Sequence, residues 1–150
     1  MNDFAADSHA PVYTSAEVVV AADAETVWRV VTSIADWPEW NPDVREASIE
    51  GGVAEGVNFK WKAGPGTIRS TIRRVDRPHM IGWTGKTLGI PAIHVYRIEQ
   101  TGDGTRVVLE ESFDGALARL FRGYLQRTLD KAVTDGLRAL KVEAERQHAA

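Results

Sequence analysis

The chain has 150 residues, 18 Lys plus Arg against 21 Asp plus Glu for a net charge of −3, and no cysteine. This length supports one domain with a core that needs no covalent staples, and the lack of cysteine excludes disulfides, thiolate metal sites and a cysteine nucleophile. Binding nucleic acid through its phosphates calls for a basic surplus that this composition does not have, so no nucleic-acid partner is expected.

Residues 1–11 are small and polar and read as a flexible tail, leaving 12–147 as a single domain. The start has no basic stretch leading into an apolar core, and no apolar run approaches the length of a bilayer. The sequence therefore predicts no secretory signal, no stable membrane insertion and a cytoplasmic location. Val12–Val20, rich in Val, Tyr and Thr, reads as a first strand. Asp23 can cap a helix by accepting free N–H groups of its first turn, and Val27, Trp28, Val30 and Val31 give that helix an apolar stripe. Pro38 stops or restarts it near Trp37 and Trp40, and Pro42 ends the section.

From residue 44 to residue 113 the pattern changes to period two, with breaks at Gly51-Gly52, Gly64-Pro65-Gly66, Arg77-Pro78, Gly89-Ile90-Pro91 and Gly102-Asp103-Gly104. Six strands fit between the breaks, at 44–50, 57–63, 67–76, 80–87, 92–101 and 105–113. Their short connections imply an antiparallel meander. Charge parity assigns the faces. Lysines and arginines turned outward leave Phe59, Trp61, Ile68, Ser70, Ile72, Ile81 and Trp83 inside. The same reasoning places His94, Tyr96 and Ile98 inside, and groups Val107, Leu109, Glu111 and Phe113. It leaves Ile93 and Val95 apolar yet outward, and a one-residue slip or bulge there would reverse the assignment. Residues 116–147 carry one helical pattern whose apolar stripe runs from Leu117 to Leu140 and requires a sheet face to cover it.

The segments Ala22-Asp23-Ala24-Glu25-Thr26-Val27-Trp28 and Ile34-Ala35-Asp36-Trp37-Pro38-Glu39-Trp40-Asn41-Pro42, with the hairpin Gly102-Asp103-Gly104-Thr105-Arg106-Val107, resemble the polyketide cyclase/dehydratase and lipid-transport family of the START / Bet v 1-like (SRPBCC) superfamily. The resemblance spans nearly the whole chain. It implies an α+β helix-grip fold: a curved seven-stranded antiparallel sheet wrapped around a long C-terminal helix, with two short helices after the first strand. It also implies an internal cavity for a small hydrophobic molecule, polyketide-, lipid- or quinone-like, and no cofactor. Carried over by position, the lining is Phe59, Trp61, Ile72, Trp83, Tyr96, Leu109, Phe121, Tyr124 and Leu125, with Trp37 and Trp40 near the mouth. A monomer or homodimer fits equally.

The histidines form no metal-site spacing, so no metal is expected. Gly85-Lys86-Thr87 fails as a phosphate loop, because Met80 stands where the first glycine belongs and Gly89 and Pro91 interrupt any following helix. Four polar residues remain on the inner face: Ser70, His94, Tyr96 and Glu111. In a dry pocket His94 could act as base, with Tyr96 or Glu111 as proton donor or orienting partner, for a cofactor-independent cyclase or dehydratase. The same groups could instead orient a bound ligand, or Glu111 could simply pair with Arg45. A regulatory protein-interaction module is the third alternative. Trp28 is expected in the core.

Overall fold

The structure, a computed structural model, describes residues 4–150. Strand β1 (Val12–Val20) leads into helix α1 (Ala24–Thr32), where Asp23 accepts a 2.9 Å hydrogen bond from the Thr26 amide as the cap. A single 3-10 turn (Ile34–Asp36) and the short α2 (Trp37–Trp40) follow, with Pro38 in the first turn, where its missing N–H costs nothing. Then come β2 (Val44–Ile49), β3 (Asn58–Ala63), β4 (Gly66–Asp76), β5 (Met80–Thr87), β6 (Ile90–Thr101) and β7 (Gly104–Phe113). They form one open antiparallel sheet in the order β1-β7-β6-β5-β4-β3-β2. The meander is as expected, and β1 closes the sheet by pairing with β7 along its whole length.

The C-terminal pattern folds as two helices, α3 (Ala116–Leu120) and α4 (Arg122–Ala149), with Phe121 leaving helical geometry between them. No proline marks this break, and the apolar periodicity runs across it unchanged. Helix α4 packs along β1 and α1 and touches β7. Its buried residues, Leu129, Val133, Gly136, Leu137, Leu140 and Ala144, belong to its later turns. Trp28 is buried in the same core, as expected. No helix among the described residues is long and apolar enough to cross a membrane.

The outward apolar pair in β6 is resolved without a slip. The ladders on both sides of β6 run in continuous register, so His94 stays inside and Val95 outside. Val95 is nevertheless fully buried. Gly82 lies opposite it, and a Cβ on Gly82 would come within 2.3 Å of the Phe4 ring. The segment read as tail thus covers the outer face: the Phe4 carbonyl accepts from Arg97 at 2.9 Å, and the Asp7 amide donates to Ser112 Oγ at 3.0 Å. Residues 1–3 of that segment lie outside the described residues.

Candidate functional site

Antiparallel register sets the inner-face constellation, because directly opposed residues share a face. Phe59 opposes Ser70, Ile72 opposes Trp83, Trp83 opposes His94, His94 opposes Glu111, and Tyr96 opposes Leu109. Five adjacent strands thus bring these side chains together without any loop contributing. Gly85 helps by omission. A Cβ there would lie 2.9 Å from Ser70 Oγ, the atom that accepts a 3.1 Å hydrogen bond from Trp61 Nε1.

The His94–Glu111 pair is the chemical centre. His94 Nε2 lies 2.7 Å from Glu111 Oε1, and both residues are only 6% exposed. The imidazole stacks on Trp83 at 5.3 Å and 18° and meets Trp61 edge-on at 5.6 Å. The Glu111 carboxylate thus lies within ion-pair distance of the imidazole, on the neighbouring strand. The sequence-stated alternative of a Glu111–Arg45 pair is corrected: Arg45 is exposed on β2, three strands from His94's neighbour Trp83, and Glu111 takes the cross-strand histidine.

Tyr96 lies beside this pair, 5.9 Å from Trp83 ring to ring. Burial, and then the Glu111 charge, push its phenol above the usual tyrosine range, so it stays protonated and able to donate. It is half-buried and packs against the core cluster from the inner face of β6. The indole N–H of Trp83 is buried with no hydrogen-bond partner. Such an orphan donor is unusual and requires a reason.

The structure separates the other expected site residues. Phe59, Ser70, Ile72, Trp83 and Leu109 are buried in the cluster, and Trp61 and Leu125 are half-buried against it. Trp37 was expected near the mouth and is instead inside. Its ring meets Phe59 at 5.8 Å and Trp61 at 5.3 Å edge-on and tilts against Trp83, while Nε1 donates to the Val31 carbonyl at 3.0 Å. The 3-10 turn before α2 aims it inward. Trp40, on the next turn of α2, faces a separate outer groove with Pro42, Arg138 and Val142. Phe121 and Tyr124 stand on the surface, more than half exposed, while Arg122 and Gln126 of the same turns bond to Pro11 and Tyr13 at the start of β1. Gly85 is the participant that sequence reasoning missed, and only its position opposite Ser70 could have marked it. No cluster of three or more metal-ligating side chains occurs among the described residues.

Comparison with solved structures places this arrangement among known folds. The hypothetical protein jhp0584 from Helicobacter pylori superposes with a TM-score of 0.82 at 12% identity, over 91% of this chain and 90% of that one. The Zhui aromatase/cyclase from Streptomyces sp. R1128 gives 0.76 at 20% identity, over 90% and 94%. The di-domain ARO/CYC protein StfQ from the steffimycin biosynthetic pathway gives 0.78 at 18% identity over 93% of this chain, which spans only 52% of that larger protein. At such identities the likeness is one of fold: the helix grip expected from the sequence. A search of curated proteins returns no match. Residues 12–145, however, match the family model described as polyketide cyclase / dehydrase and lipid transport, and the chain belongs to that family.

Proposed function

We propose that the protein binds a small, ring-bearing hydrophobic molecule, polyketide-, lipid- or quinone-like, in the recess between the sheet and α4. The observation that carries this reading is the buried His94–Glu111 pair set in an aromatic wall. A buried pair of this kind adds little to stability compared with apolar residues of the same volume, so its presence favours a binding role. The protonated Tyr96 phenol, the orphan Trp83 N–H and His94 Nδ1 together suit a flat ligand carrying carbonyl or hydroxyl oxygens. Half-buried Ile90, Phe113 and Leu125 continue the inner face toward the start of α3, and there a ligand would enter.

A second reading, cofactor-independent cyclisation or dehydration, is favoured by the buried His94–Glu111 pair beside the Tyr96 phenol. His94 would take an acidic α-proton on Nδ1, Glu111 would balance the resulting imidazolium, and Tyr96 would donate a hydrogen bond to the enolate oxygen. Native mass spectrometry with solvent extraction of the purified protein tests the first reading: a co-purified apolar compound is expected, and its loss in Trp83→Ala supports the recess. If His94→Gln and Tyr96→Phe still retain the compound, and wild type turns over no aromatic polyketide-type substrate, the protein is a carrier and not an enzyme. If no apolar compound co-purifies and none added is retained, the binding reading fails.

A further inference from the structure

We infer that the face formed by α3, the first turns of α4 and the β5–β6 turn is a docking surface for an anionic lipid bilayer. Leu117 and Leu120 on α3, Phe121 at the break and Tyr124 on the first turn of α4 are all exposed, Leu120 at 73% and Tyr124 at 64%. Leu88, in the β5–β6 turn, adds an exposed apolar side chain from another part of the chain. It is 62% exposed, and the neighbouring Gly89 lies against Leu117, whose Cδ1 is 3.7 Å from where a Cβ on that glycine would stand. Two distant segments therefore join in one apolar patch, whereas surface apolar residues ordinarily occur singly.

Leu88 carries a second, independent signal. Its φ of +51° makes it the one non-glycine residue in the left-handed region among those described. The leucine side chain touches only the neighbouring turn at Gly66 and stays 62% exposed, where glycine or asparagine would relieve the strain. A strained, exposed leucine points to a use for its side chain outside the fold.

Charge decides the occupant. Between Asp114 and Asp130 the chain carries Arg119, Arg122 and Arg127 and no carboxylate, in a protein whose net charge is −3. All three are exposed; Arg122 Nε donates to the Pro11 carbonyl at 2.9 Å, and Arg119 and Arg127 supply the charge for a partner. Leucines and aromatic rings flanked by arginines match the acyl boundary and the anionic headgroups of a bilayer interface, and an apolar protein partner would leave those charges unused. Docking is peripheral, through partial insertion of these side chains. It sets the patch against the acyl layer and does not depend on what the recess binds.

Flotation of the purified protein with vesicles tests this. Binding is expected to phosphatidylcholine vesicles containing one-third phosphatidylglycerol, to fall several-fold in high salt, and to be far weaker to phosphatidylcholine alone. Each of Arg119→Gln and Arg127→Gln should weaken binding about fivefold, and Leu120→Ser with Phe121→Ser should abolish it. Because these side chains are exposed, the variants should keep the wild-type melting temperature and any co-purified ligand, which separates this outcome from failure of the binding reading. Equal flotation of the Leu120→Ser/Phe121→Ser variant and wild type would overturn the proposal. So would a wild-type dimer that this variant converts to monomer while neither form floats, since the patch would then be a self-association face.

Discussion

Two neighbouring strands, β6 and β7, bring His94 Nε2 and Glu111 Oε1 together, and that pair fixes what single substitutions should do. Removing one member leaves the other buried and uncompensated, a loss of about 3–5 kcal/mol if the survivor is charged. The double variant His94→Leu/Glu111→Leu removes both and should be less destabilised than His94→Leu alone, as denaturant unfolding would show. A double variant with the summed cost of the two singles would mean the groups do not interact. Tyr96 gives a pH test. Its folded-state pKa is raised above the ordinary 10.0, so the fold favours the neutral phenol. That stabilisation is complete below pH 10 and is lost as the pH climbs past it. Tyr96→Phe should therefore show a shallower alkaline loss of stability than wild type. Tyr13, whose pKa is raised by burial and Glu110, keeps a remnant of the same slope. The residue scale was half legible in the sequence. Charge parity along each strand identified His94, Tyr96 and Glu111 as inward, but pairing depends on which strands are neighbours, and there Glu111 meets His94 and not Arg45.

At the scale of elements, the strands were the most legible because period two and glycine-rich breaks are local signals. The 102–104 turn shows why its glycine is required. Gly104 has φ +134°, and a Cβ there would stand 2.3 Å from the Val20 carbonyl oxygen. Gly104→Ala should cost about 1–3 kcal/mol in backbone strain alone, with the clash added, and thermal melts would register it. The C-terminal helix was less legible. An apolar stripe says that a face is covered or used, and nothing in its periodicity distinguishes the buried turns at Leu129–Leu140 from the exposed ones at Leu117–Tyr124. The segment before β1 reads as tail because eight of its eleven residues are small or polar, yet Phe4 lies over Gly82. Phe4→Ala should lower stability by about 1 kcal/mol, the value of half-burying one aromatic side chain, and should deprotect the β5–β6 amides in hydrogen exchange. Unchanged protection would mean that Phe4 does not shield this face.

For the molecule as a whole, an aromatic interior and a separate outer groove make different predictions for the tryptophans. An apolar ligand in the recess should change the fluorescence of Trp61 and Trp83 and raise the melting temperature with concentration. Trp40→Phe should leave this response intact, since Trp40 faces the outer groove, and Trp83→Phe should blunt it. A response lost in Trp40→Phe alone would move the binding site to the groove. By itself, the sequence determined the strands, the cap at Asp23, the inward parity of each strand and the family, because these depend on short-range periodicity and on residues close together in the chain. Only the tertiary structure decided that Trp37 fills the interior while Trp40 packs at its edge beside an outer groove, that Phe4 covers Val95, and that the first turns of the last helix stay uncovered. Those outcomes depend on how a 3-10 turn, an edge pairing and a helix axis place whole elements against the sheet, and no local pattern encodes them.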